Sequence, residues 1–96
     1  MDEGRLAEVQ KLVMYKWNLM VLIHLHRGPR RFMELANDVR LEDRSISEKM
    51  LRQTLERLHA GGAVRHVSID ERVDAYDLTP WGGRIASVVV ELLADG

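Results

Sequence analysis

A mainly helical fold with one small β-hairpin is predicted by three features of this 96-residue sequence. The first is Ile46-Ser47-Glu48-Lys49-Met50-Leu51-Arg52-Gln53-Thr54-Leu55-Glu56-Arg57-Leu58, where apolar residues recur at Leu51, Leu55 and Leu58 while polar side chains fill the other side. Recurrence at steps of three and four marks an amphipathic helix. The second is Gly61-Gly62, a helix stop, followed by two stretches of strand character around a tip at Asp70-Glu71-Arg72. The third is Gly28-Pro29, which parts an apolar N-terminal segment from a shorter helical one, since proline cannot continue a helix. Helix, tight turn, second helix and hairpin, flanked by a helix at each end, make the plan of a winged helix-turn-helix.

Composition bounds the reading to a single domain over residues 1–96, with 46% apolar and 30% charged residues. That balance opposes disorder and suits a soluble surface. The chain has no cysteine, which removes disulfides, thiol sensing and cysteine-ligated metals. The longest apolar run, Leu19-Met20-Val21-Leu22-Ile23, is too short to cross a bilayer. Asp2 and Glu3 stand where a signal peptide would be basic, so the expected compartment is the cytoplasm and no membrane partner is expected. The formal net charge is −1, unevenly spread: residues 1–26 balance, residues 27–72 carry +2, and residues 73–96 carry −3. Phosphate contacts depend on local charge rather than the total, so a basic middle is compatible with nucleic acid.

From Glu3 to His26 the pattern is helical, with Leu6, Val9, Val13, Trp17, Met20, Val21 and His24 on one face. Leu12, Leu19, Leu22 and Ile23 widen the apolar surface well past one stripe. A helix apolar on most sides is buried on most sides, and in a chain this small a second subunit is the expected cover. Arg30-Arg31-Phe32 reads as a short extended piece, Met33 to Val39 as two helical turns, and Arg40 to Arg44 as a polar connection. Ser45 and Ser47 are equal candidates to cap the next helix, and Ser45 to Glu48 matches a capping box. That helix runs to about Ala60, and strands follow at Ala63–Ile69 and Val73–Leu78. Thr79 caps a last helix with Pro80 at its first position, and Ile85, Val88, Val89, Leu92 and Leu93 form its apolar face. Residues 33–60 are therefore the helix-turn-helix and 63–78 the wing, with 1–27 and 80–94 as dimerisation helices. The dimer residues expected are Leu6, Val9, Val13, Trp17, Val88, Val89, Leu92 and Leu93.

A step of about 100° per residue places Lys49, Arg52, Gln53 and Glu56 away from Leu51. Arg52 has the fork that pairs with guanine, Gln53 the amide that pairs with adenine, and Lys49 suits a phosphate. Ser45 and Ser47 lie where free N–H groups at a helix start favour a phosphate. Arg30 and Arg31, in the densest cluster of positive charge, are candidates to clamp the DNA backbone. Arg72 at the wing tip suits a minor groove, and Arg65 and His66 suit the backbone.

Nothing in the sequence supplies catalysis or a cofactor. His24 and His26 are two apart on a helix and point to different sides, while His59 and His66 lack a carboxylate at ligand spacing; structural or surface roles are expected, and no metal. Gly61-Gly62 and Gly82-Gly83 lack the spacing of a phosphate loop and read as a helix stop and a close-packing point. Trp17 and Trp81 read as core or dimer residues, the alternative being the lining of a pocket for a small apolar effector.

Several stretches together resemble the HxlR-type winged helix-turn-helix regulators within the broad MarR-like class. They are Lys16-Trp17 with the apolar run after it, Gly28-Pro29-Arg30-Arg31-Phe32 with Glu34-Leu35, and Ile46 to Leu51. Leu55 to Leu58 with Gly62, Val64-Arg65, and Tyr76-Asp77-Leu78-Thr79 with Gly82 complete the set, which spans nearly the whole chain. The resemblance implies a homodimeric transcriptional regulator, a repressor or an activator, whose outer helices pair the subunits and whose second central helix enters the major groove. The reading adopted is a repressor on a palindromic operator of double-stranded DNA. The rivals are a winged-helix protein–protein module and a regulator answering to an apolar ligand. Against the family pattern, this chain lacks a cysteine near the first helix, its connection from Leu35 to Ile46 is longer, and its wing is shorter and without prolines.

Overall fold

A computed structural model describes residues 4, 6–7, 16–70 and 73–95. The elements in order are α1 (Lys16–Leu25), β1 (Arg30–Arg31), α2 (Phe32–Glu42), α3 (Glu48–Ala60), β2 (Val64–Asp70), β3 (Val73–Leu78) and α4 (Pro80–Asp95). Gly4, Leu6 and Ala7 are helical as well. The three strands form an antiparallel sheet with β3 in the middle: β1 pairs Arg30 with Tyr76 and Arg31 with Ala75, and β2 pairs Val64 with Leu78 through Ser68 with Asp74. The mainly helical fold with its hairpin is as the sequence predicts; the two-residue β1 adds a third strand.

From Trp17 to Leu25 no residue of α1 is fully exposed. Val21, Leu22 and Leu25 of this helix meet Leu35, Ala36 and Val39 of α2, Ile46 before α3, Leu51, Leu55 and Leu58 of α3, Ala63 and Val64 of β2, and Ala86 of α4 in one core. Burying such side chains is worth about 1.5–3 kcal/mol each before ordering costs. Trp17 and Trp81 are half-buried and pack on this core.

Two breaks in the helices depend on glycine. Gly28 and Gly62 have φ of 132° and 79°, a left-handed backbone that side chains with a Cβ disfavour. Gly82 serves differently: a Cβ there would meet the Ala63 carbonyl oxygen at 2.0 Å, so its lack of a side chain lets α4 close on the start of β2. Thr79 fastens the same corner, its N–H bonding Ala63 O at 3.0 Å while its Oγ1 donates to Gly62 O and accepts from Gly82 N–H, also at 3.0 Å. The Thr-Pro start read from the sequence is the start of α4.

Three local expectations are corrected. Helix α2 runs to Glu42 rather than ending at Val39, so Arg40, Leu41 and Glu42 belong to a third turn. Leu41 is 84% exposed, so the apolar rhythm stops before the helix does, whereas residues with good helix propensity carry it on. Glu42 gains a neighbour there: its Oε1 lies 3.2 Å from Nε2 of the buried His24. The second concerns the capping box, since, of the two serines the sequence left open, the cap of α3 is Ser47, its Oγ accepting from Met50 N–H at 3.1 Å. Ser45 instead folds back on Asp43, whose carboxylate accepts from its N–H at 2.9 Å and from its hydroxyl, so the box from Ser45 to Glu48 is not made. Third, Phe32 starts α2 rather than extending β1.

Candidate nucleic-acid interface

Helix α3 is built to be buried on one side only. Leu51, Thr54, Leu55 and Leu58 face the core, and Thr54 satisfies its hydroxyl by donating to Met50 O at 2.9 Å. Lys49, Arg52, Gln53 and Glu56 are all exposed, as the helical step predicts. The structure thus brings these four together on one open face that begins two residues after the cap at Ser47.

Arg52 is held there by a contact that sequence reading did not find. Its guanidinium carbon stands 4.0 Å from the centre of the Phe32 ring, a cation–π arrangement. Twenty positions separate the two residues, so no local pattern reports the contact.

The remaining basic candidates are more closely tied. Arg30 Nη1 lies 3.0 Å from Asp38 Oδ2, and the exposed Arg31 has its Nε 3.9 Å from Glu34 Oε1, which also accepts from the Arg31 backbone N–H at 3.2 Å. Arg65 is exposed on β2, its Nη2 3.4 Å from Asp77 Oδ2 across the strand pair. A phosphate would have to compete with carboxylates for each of these side chains. Ser45 is exposed beside the cap but engaged with Asp43. Arg72 lies outside the described residues, as do Val9 and Val13.

The proposed dimer residues divide. Leu6, Val88, Leu92 and Leu93 are exposed, the last three at 54%, 68% and 65%. Val89 is half-buried, and Trp17 belongs largely to the protomer's own core. Sequence reading also missed a ring cluster beside α3, where the His59 and His66 rings are 5.2 Å apart and those of His66 and Tyr76 4.7 Å apart. The cross-strand register of His66 with Tyr76 is the signal that would have found it. Among the described residues no cluster of three His, Cys, Asp or Glu is arranged to hold a metal, and no helix is long and apolar enough to cross a membrane.

An exposed helix beside a three-stranded hairpin sheet has counterparts in known proteins. The chain is 33% identical over 88 residues to the HTH-type transcriptional regulator YtfH of Escherichia coli (strain K12), an alignment covering 88% of this chain and 66% of that protein. The chain therefore spans just under two thirds of that relative's length. Among solved structures, the reduced form of the transcriptional regulator YodB from B. subtilis superposes with a TM-score of 0.80 at 27% identity, covering 98% of this chain and 90% of that one. The transcriptional regulator ytfH from Salmonella typhimurium gives 0.71 at 33% identity, covering 92% and 77%. The HxlR-like helix-turn-helix family matches residues 12–96. With its core, its hairpin and these likenesses together, the chain belongs to the HxlR-like helix-turn-helix family of transcriptional regulators.

Proposed function

We propose that this regulator binds double-stranded DNA as a homodimer and that α3 is the element that enters the major groove. The observation that carries the reading is the open polar face of α3: Lys49, Arg52, Gln53 and Glu56 are exposed together, with Arg52 set on Phe32. A bidentate donor, an amide and a phosphate-seeking ammonium on one helix face match the edge chemistry of base pairs and their flanking phosphates. The second copy covers the apolar face of α4 at Val88, Leu92 and Leu93. Twofold pairing then sets two reading helices about 34 Å apart, on a palindrome with half-sites one turn or a multiple apart. Repression is the mode adopted, because a dimer seated on an operator blocks it without a further protein surface.

Titrating the protein onto genomic fragments at about 50 mM and about 200 mM salt tests the reading. Affinity falling steeply with salt, with a few sequences retained at the higher concentration, supports it. Absence of any salt-dependent complex favours the protein–protein module, for which Glu48 and Glu56 on α3 are the chemical argument.

A further inference from the structure

A cleft of about 180 Å³ separates α3 from the hairpin, lined by Arg52, Leu55, Glu56 and His59 on the helix, His66 on β2 and Tyr76 on β3. Leu55 is buried and closes its floor, whereas His59 and His66 are exposed at its rim. With a share of about 30 Å³ per water, the cleft has room for a phosphate group. Among the described residues no three His, Cys, Asp or Glu side chains are arranged to hold a metal, and two imidazoles that can become positive favour an anion over a cation.

The position of the cleft says which anion, provided the DNA-binding reading above holds. With α3 in a major groove and the hairpin toward the neighbouring minor groove, the strand of backbone dividing the two grooves runs between these elements. We propose that the cleft seats one phosphodiester of that strand, and that His59 and His66 take up protons as it does so, coupling DNA binding to pH.

The charges around the cleft support the coupling. Arg52 and Glu56 offset each other from α3. On the sheet, Arg30 lies across from Tyr76 and is paired with Asp38. Asp74 lies two residues along β3 from Tyr76, on the same side, while Arg65 alternates to the other side and meets Asp77. With neutral imidazoles the cleft therefore offers little net charge. Protonating both puts two positive charges on rings 5.2 Å apart, an arrangement each opposes in the other. A phosphate between them removes that opposition, and the Tyr76 hydroxyl is a further donor beside it. Protons then strengthen the phosphate contact and the phosphate strengthens proton uptake, by the same factor. Histidine is the side chain whose charge changes between about pH 5 and pH 8, so affinity for DNA rises as pH falls through this range.

The test is fluorescence anisotropy with a short mixed-sequence duplex at about 50 mM salt, between about pH 8 and pH 5.5. A backbone contact needs no operator. The wild-type chain is expected to gain on the order of tenfold in affinity over this range. A His59→Gln, His66→Gln double variant should lose most of that gain. Both side chains are exposed, so the variant should keep its fold, which circular dichroism checks. NMR of the ring protons gives a second reading: the titration midpoints of both histidines should move upward when the duplex is added. Equal pH dependence in the double variant, or midpoints unmoved by DNA, overturns the inference and leaves DNA binding standing. No complex at any pH overturns both.

Discussion

Helices α3 and α4 are both amphipathic, yet they leave opposite kinds of surface in the open. Helix α3 buries its leucines and exposes Lys49, Arg52, Gln53 and Glu56. Helix α4 buries Ala86 and exposes Val88, Leu92 and Leu93. Water tolerates the first face indefinitely, and a polyanion can displace that water by fitting its donors. The second face costs free energy for as long as it is wet, and an apolar partner removes the cost. The contrast assigns the two proposed partners of the molecule: nucleic acid at α3 and another protein chain at α4.

The largest expected effect attacks the α4 side. A Val88→Glu, Leu92→Glu variant would place two carboxylates in the proposed dimer face, each costing several kcal/mol when buried. At roughly 1.4 kcal/mol per tenfold, sedimentation equilibrium should show self-association weakened on the order of a hundredfold or more. A variant that still dimerises would move the protein contact off α4 and erase the contrast. Next comes Arg52→Ala, which should cost about 1–3 kcal/mol at a single base position and relax sequence preference there. Competition among duplexes altered one pair at a time measures it; an equal loss for all of them would make Arg52 a backbone contact.

A smaller effect sharpens where the polar face begins. Ser47→Ala should destabilise the fold by about 1 kcal/mol in chemical denaturation, the usual worth of a cap, while Ser45→Ala should stay within about 0.5 kcal/mol. The reverse order would shift the start of α3 by two residues. The smallest is Lys49→Ala, expected to weaken binding alike for all sequences and to lower the slope of log affinity against log salt by about 1.

How far these faces were legible in the sequence depended on the range of the contacts that make them. Leu51, Leu55 and Leu58 announce the inward side of α3 because a helix repeats locally, and Thr79-Pro80 announces the start of α4 because capping is local too. The third turn of α2 was not legible, since the exposed Leu41 breaks the rhythm while Arg40 and Glu42 still favour a helix. Choosing Ser47 over Ser45 required knowing that Asp43 holds Ser45. The seating of Arg52 on Phe32 and the grouping of His59, His66 and Tyr76 join residues from different elements. Only the assembled fold brings them within reach. Arg30 shows the same limit from the other side, as its charge was plain in the sequence but its partner Asp38 was not.

Site-directed cleavage of DNA tests the role of α3 most directly. The chain has no cysteine, so Gln53→Cys offers a unique point on the exposed face for an iron chelate that cuts nearby backbone. On fragments selected from genomic DNA, the label should cut in two clusters facing the major groove, roughly 10 base pairs apart or a multiple of that. The same label at Val88→Cys should leave the fragments intact. Bound fragments left uncut by the label at position 53, or cut evenly along their length, would contradict the account.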